Sequence, residues 1–264
     1  MLYYPQLQSG SVCQFPVRRT STTRTIANVM LGGDCIRTAD PLATAVRWQL
    51  QYKNLTNDEW SAIEQLFESS EGGLGVFTFL DPAANLLQWT EDWTKANWSA
   101  DPMLQAAPGG SDPLGGSGAQ QITNSSQAEQ RILQTIASGS TLQYCFSVYL
   151  RADVVGPVGM VVSGGEESIN NVAVSAAWTR FFMSVKLSTN QDNIAFGLTI
   201  PAGARIDAFG PQVEAQPAAG QYKKTTDRSG VYASTRFDSD SLTLVTEGVN
   251  QNSATIALVS AVTH

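Results

Sequence analysis

The sequence predicts a mainly β protein in which strands and one amphipathic helix precede a β-sandwich. Three observations predict it. In "TAVRWQLQY", Val46, Trp48, Leu50 and Tyr52 alternate with Arg47, Gln49 and Gln51, the period of a half-buried strand. A helical period is clear in one stretch, "TNDEWSAIEQLFESSEGG". From Asn85 to about Tyr222, short apolar runs recur between Gly, Pro and Asn turns, the pattern of a sandwich.

Taken in order, Thr22 to Val29 and Ala43 to Tyr52 read as strands rich in β-branched and aromatic residues. Between them Gly32-Gly33 and Asp40-Pro41 predict turns. In the helix, Thr56 and Glu59 have capping-box spacing, so each side chain satisfies a free N–H of the first turn. Trp60, Ile63 and Phe67 share its apolar face, with Leu66 beside them, and Gly72-Gly73 ends it. The strand "GVFTFL" follows and breaks at Asp81-Pro82, where the proline disfavours continuation. Gln127 to Ile136 has a weak helical period. "QYCFSVYLRA", "GMVVSG", "NNVAVSAAWTRFFMSVKL", "NIAFGLTI" and "RIDAFGPQVE" read as strands, and "APGGSDPLGGSGAQQ" as a loop. The last segment predicts a hairpin: an apolar run at Leu242, Leu244 and Val245, a longer loop over Gly248 to Asn252, and a run at Ile256, Leu258 and Val259.

Composition narrows function. The 264 residues are 42% hydrophobic and 15% charged, with a net charge of −7 and a pI near 4.7. An acidic chain whose basic residues are dispersed predicts no specific nucleic-acid partner. Arg18, Arg19 and Arg24 form the densest basic group and read as a solvated strand or loop. No window approaches a membrane span, and Met1 to Pro5 lacks the pattern of a signal peptide, which predicts synthesis in a cytoplasm. Cys13, Cys35 and Cys145 are odd in number and lack C-x-x-C spacing, so they read as buried free thiols. The single histidine, His264, is the last residue. A histidine-based triad or metal centre would depend on it alone.

Two stretches resemble known families. "NLLQWTEDWTKANWS", "YCFSVYLRAD", "AWTRFFMSVKL" and "DAFGPQVEAQPAAGQY" together resemble the carbohydrate-binding-module-like, lectin-like jelly-roll domains of phage tail and fibre proteins. Asn85-Leu86-Leu87, Trp93, Trp98, Trp178, Gly210 to Glu214 and Tyr222 carry the match in order. "FESSEGGLGVFTFLDP", with the strands before it, resembles the N-terminal domain of minor tail and distal tail proteins of long-tailed phages. These resemblances imply a discontinuous tail-tube-like assembly domain at 1–84 and 228–264, with the sandwich at 85–227 inserted and the terminal hairpin completing the first sheet. They also imply a structural, non-enzymatic virion protein that forms a homo-oligomeric ring, a hexamer being one such assembly. Its partners would be other tail proteins, and its outward sandwich would contact those or host glycans. An acidic lumen would pass DNA without binding it. The alternative is a soluble glycan-binding module or part of a glycan-degrading spike.

Candidate site residues are few. Trp89 lies in a polar segment before a long loop and is the candidate for stacking on a sugar. Trp48, Trp60 and Trp178 read as core, and Trp93 and Trp98 as packing residues. Glu91-Asp92 and Glu166-Glu167 are carboxylate neighbours, but neighbours on a strand point to opposite faces. Asp153, Asp207 and Glu214, or Asp238 and Asp240, are the available calcium ligands. "GGLG" and "GGSG" lack the Gly-Lys-Ser/Thr ending of a phosphate loop. No catalytic residue, metal site or cofactor is predicted.

Overall fold

The computed structural model describes residues 1–154 and 156–261, so the expectation attached to His264 lies outside the described residues. Contacts divide the chain into two compact units. One comprises Met1–Leu7, Cys13–Phe79 and the chain from Tyr232 onward; the other comprises Gln8–Val12 and Leu80–Val231. Residues 8–12, read from sequence with the first domain, thus belong to the second unit. Gly10, at φ +81, sits against the side chain of Gln143 there.

The first unit is built on a six-stranded sheet. Its strands are β1 (Val17–Val29), β2 (Cys35–Leu55), β3 (Phe77–Leu80), β14 (Val231–Phe237), β15 (Leu244–Gly248) and β16 (Gln251–Ala261). Their order is β1-β2-β16-β14-β3, with β15 pairing to β16. The alternation in β2 sets the core. Val46, Trp48, Leu50 and Tyr52 are buried, and Ser260, Leu258, Ile256 and Ala254 of β16 stand opposite them. Thr235 and Phe237 extend the same face onto β14. The Tyr4 and Tyr52 hydroxyls share a hydrogen bond of 3.0 Å under this face.

The helix α1 (Asn57–Ser69) carries the capping box read from sequence: Thr56 accepts from the Glu59 N–H, and Glu59 accepts from the Thr56 N–H. Trp60, Ile63 and Leu66 are buried, while Phe67 is half-buried and packs edge-on against Phe237 at 5.1 Å.

Three expectations fail here. Asp40-Pro41 is no turn: β2 runs through it, and a register shift between Thr22 and Arg24 of β1 absorbs the irregularity. The terminal loop is tight, because Gly248 already pairs with Gln251 and Asn250 adopts φ 56. The last segment also holds a third strand, β14, where two were expected.

The second unit is a jelly-roll sandwich. Its strands are β4 (Ser99–Ala100), β5 (Leu104–Pro108), β6 (Gln120–Asn124), β7 (Gln130–Ile136), β8 (Tyr144–Arg151), β9 (Gly156–Ser163), β10 (Glu167–Val174), β11 (Thr179–Val185), β12 (Ile194–Ile200) and β13 (Arg205–Glu214). They form two five-stranded sheets, ordered β10-β9-β12-β7-β4 and β11-β8-β13-β6-β5. From β6 to β13 the chain switches sheets at every step except β9 to β10, which is the jelly-roll winding. Tyr144, Phe146, Val148 and Leu150 of β8 and Ile194, Phe196, Leu198 and Ile200 of β12 fill the interior. The weak helical period at Gln127 to Ile136 makes no helix: β7 pairs with β12 there from Gln130 to Ile136.

Candidate functional site: a cleft beside Trp89

Three segments of the sandwich unit meet around a cleft of about 620 Å³. The first is Trp89 to Asp92, the second is the loop from Asp112 to Gly118, and the third is Lys224 to Thr226; Phe209 of β13 also lines it. Each segment is held by identifiable bonds. Trp89 adopts φ +51, a left-handed conformation that a bulky residue takes only when its surroundings enforce it. Here the Trp89 N–H donates to the Thr226 carbonyl at 2.8 Å, and the Trp89 carbonyl accepts from the Trp98 indole at 3.2 Å. Trp98 itself stacks on Trp93 with centroids 4.5 Å apart. Both of those rings are buried, so they anchor the half-buried Trp89.

The loop is ordered by one side chain. The Asp112 carboxylate accepts the N–H groups of Leu114 at 2.8 Å and of Gly116 and Gly118 at 3.0 Å. Burial alone would raise this carboxyl's pKa, but the N–H groups of Gly118, Gly116, Leu114 and Gly115 outweigh it and hold it below the usual range. Glu91 lies against Gly118, where a Cβ would meet its Oε2 at 2.7 Å. Glu91 accepts from the Tyr222 hydroxyl at 3.1 Å and pairs with Lys224. Burial, first, and the neighbouring Glu91 push the Tyr222 hydroxyl's pKa up, although its bond to Thr90 works the other way. The Lys95 ammonium sits 4.9 Å from the Trp89 ring centroid.

The predicted residues fare unevenly. Trp89 does line the cleft. Trp60 and Ile63 are buried in the helix core, and Phe67 is half-buried on it. Trp178 is not core: it is half-buried, with the Arg151 guanidinium 4.7 Å from its centroid. Cys35 is exposed where a buried thiol was expected, since it lies on β2 beyond the part that β16 covers. The carboxylate neighbours diverge. Glu91 faces Lys224, whereas Asp92 accepts from Thr94. Glu166 accepts from the Ser188 and Thr189 N–H groups, and Glu167 pairs with Arg131. Asp207 pairs with Arg151 at 2.9 Å and Glu214 with Lys223 at 3.0 Å; Asp153 is exposed. Asp238 pairs with Arg47, and Asp240 accepts from the Gly73 N–H. Among the described residues no group of three or more His, Cys, Asp or Glu could hold a metal ion. Sequence reasoning missed Asp112 and Lys224. The Asp-Pro-Leu-Gly-Gly run signalled a turn around Asp112, but nothing local linked Lys224 to a residue 133 positions earlier.

No family model matches the chain, and no curated protein matches it in sequence. Several solved structures resemble it. The CBM22-1 xylan-binding domain of Paenibacillus barcinonensis Xyn10C is 14% identical with a TM-score of 0.43, over 53% of this chain and 99% of that one. The CBM22-1–CBM22-2 tandem of the same protein is 13% identical with a TM-score of 0.45, over 67% of this chain and 61% of that one. The enzymatically active domain of bacteriophage CBA120 tailspike protein 4 is 11% identical with a TM-score of 0.41; the match covers 55% of this chain and 23% of that one. At these identities no residue role transfers.

Proposed function

We propose that this protein is a structural, non-enzymatic subunit of a phage-tail-like particle, in which the first unit self-assembles into a ring and carries the sandwich. The observation that carries the reading is the outer half of the β1–β2 hairpin. Among the described residues β16 pairs with β2 from Ala45 to Leu55, and residues 24–40 continue as a two-stranded ribbon. Every residue from Arg18 to Ala39 is exposed. Ile26, Val29, Met30, Leu31 and Ile36 are large apolar residues among them, with Leu31 at the tip fully open at 112%. A lone hairpin is marginal in water, and its open edges invite pairing. A second copy of the chain is the occupant that supplies both the apolar cover and the strand partners, and repetition of one such contact closes a ring.

The opposite edge of the same sheet is treated differently. The N-terminal residues lie along β3, with the Tyr4 N–H donating to Thr78 O and the Thr78 N–H to Leu2 O, both at 2.9 Å. Among the described residues one edge is therefore capped within the chain and the other left open. The tail identity itself rests on the resemblance of the N-terminal residues.

Sedimentation equilibrium tests the reading. The full-length protein should self-associate, and Leu31→Asp should shift it to the monomer without lowering its melting temperature. A chain that stays monomeric at its highest soluble concentration would overturn the reading.

A further inference from the structure

We infer that the outward face of the first unit's sheet docks the acidic side of helix α1 from a second copy of the chain. The inference rests on the reading of this unit as self-assembling, and it names the two surfaces that meet. One face of the sheet is closed by the chain itself. Trp48, Leu258 and Phe237 lie side by side across β2, β16 and β14, and Phe237 packs on Phe67 of α1. Successive strand residues point to opposite faces. Arg47, Val259 and Arg236 therefore form one row of the other face, with Thr20 of β1. Arg18, Gln49 and Ala257 form the next row, and Gln51 and Thr255 the one after. Lys53 continues the outward set of β2.

Charge identifies the occupant. The four cations of this face, Arg18, Arg47, Lys53 and Arg236, are all exposed. Among the described residues Arg47 alone of the four has an anionic partner, Asp238 at 3.1 Å. With strands about 4.8 Å apart, the three guanidinium groups share a patch roughly 15 Å across. An anionic surface fits it, and the far side of the same sheet carries one. Helix α1 has no basic residue from Asn57 to Ser69. Glu64 and Glu68, one turn apart, share its outer side, with Asp58 in the first turn and Glu71 just past the end; all four are exposed. Local physics disfavours that stripe. Like charges one turn apart repel, and carboxylates near a helix C-terminus oppose its dipole. A cationic partner offsets both effects. The shapes also agree. A helix of 13 residues is about 20 Å long, enough to span the patch. The outward side chains of β16 include Ser253, Thr255 and Ala257, small enough for a helix to approach.

The placement of charge sets the symmetry. The basic face and the acidic helix lie on opposite sides of one sheet, and each repels its own kind. A two-fold contact, in which a surface meets itself, is disfavoured. A head-to-tail contact joins unlike surfaces and repeats from copy to copy, as a ring requires. The outer ribbon belongs to the strands that carry Arg18 and Arg47, so it extends the same interface with apolar cover.

Sedimentation of the full-length protein across a salt series, with charge-reversal variants, tests this. Raising salt from about 0.1 M to about 1 M shortens the screening length from about 10 Å to about 3 Å and should weaken association at least about tenfold. An apolar contact alone would not weaken, and this arm needs no variant. Glu64→Lys with Glu68→Lys, and separately Arg18→Glu with Arg236→Glu, should each weaken association at least about tenfold. The melting temperature should hardly move, because all four side chains are exposed. An equimolar mixture of the two variants should assemble again, since every helix then meets a face of opposite charge. Association that survives both reversals and high salt, yet falls with Leu31→Asp, would overturn the inference and leave the ribbon reading standing. Loss in each variant without recovery in the mixture would also overturn it. A wild-type chain that stays monomeric would overturn both. Binding of duplex DNA that Arg18→Glu with Arg236→Glu removes, with self-association unchanged, would overturn it in favour of a polyanion on this face.

Discussion

The sandwich interior and the outer ribbon are made from the same material, antiparallel strands with β-branched and aromatic residues, yet they bury opposite amounts of it. On β8 and β12, Tyr144, Phe146, Val148, Leu150, Phe196, Leu198 and Ile200 are all closed off from solvent. On the ribbon, Ile26, Val29 and Ile36 all remain exposed. Strand β2 contains both conditions: Val46 to Leu55 meets β16, and Cys35 to Ala39 meets β1 alone. Strand propensity therefore does not decide burial. What decides it is whether the chain supplies a second layer, and for the ribbon none is supplied among the described residues.

The largest effects should fall where the layer is complete. Phe196→Ala removes a fully buried ring between Tyr144 and Phe146 and should cost about 3–5 kcal/mol in urea unfolding. Gly197→Ala should match or exceed it, because the new Cβ would lie 1.9 Å from the Ile132 carbonyl oxygen on the neighbouring strand. If either change is tolerated, the sandwich is looser than its packing implies.

High pH should probe both units. Burial, ahead of any other cause, pushes the Tyr4 and Tyr52 hydroxyls well up in the first unit. In the sandwich, burial and then Glu214 push the Cys145 thiol up to about 11. These groups keep their protons in the folded state and lose them more readily when unfolded. Their contribution is thus intact below the ordinary value for cysteine, 9.0, and falls away as pH rises through the folded values. Urea midpoints measured from pH 8 upward should decline beyond pH 9. A flat profile through pH 11 would show that these groups are less enclosed than they stand here.

Much of this was legible in the residues. The period of two at Val46 to Tyr52, the capping box at Thr56 and Glu59, and the strand runs after Asn85 all report local physics, and the structure realises them. What local pattern cannot report is the identity of a cover. Cys35 reads as buried because free thiols usually are, yet it is exposed on the ribbon. Trp178 reads as core from the alternation around it, but it falls between β10 and β11 and its ring meets the Arg151 guanidinium. Gln130 to Ile136 carries a weak helical period, and pairing with β12 overrides it. The cleft was legible only at Trp89, since Asp112 and Lys224 arrive through folding across the sandwich.

A smaller effect should come from the helix cap. Thr56→Ala removes the acceptor for the Glu59 N–H and should cost about 1 kcal/mol. Urea unfolding should show it, and an unchanged midpoint would mean that the cap is dispensable to the helix's first turn.

The smallest effect on folding should come from the ribbon, and that is where it becomes informative. Ile26→Ser alters an exposed side chain and should change the unfolding free energy by less than about 0.5 kcal/mol. If a second copy covers this face, the same substitution should weaken self-association in sedimentation. Cys35 offers a direct readout. It is the exposed thiol of the three; Cys13 and Cys145 are buried. A maleimide at neutral pH should modify Cys35 alone in the dilute protein, because the thiol of Cys145 is both enclosed and held protonated. Raising the protein concentration should then slow that modification as the ribbon becomes covered, and Ile26→Ser should restore the fast rate. A rate independent of concentration would mean that no second copy covers the ribbon, and the assembly reading would fall.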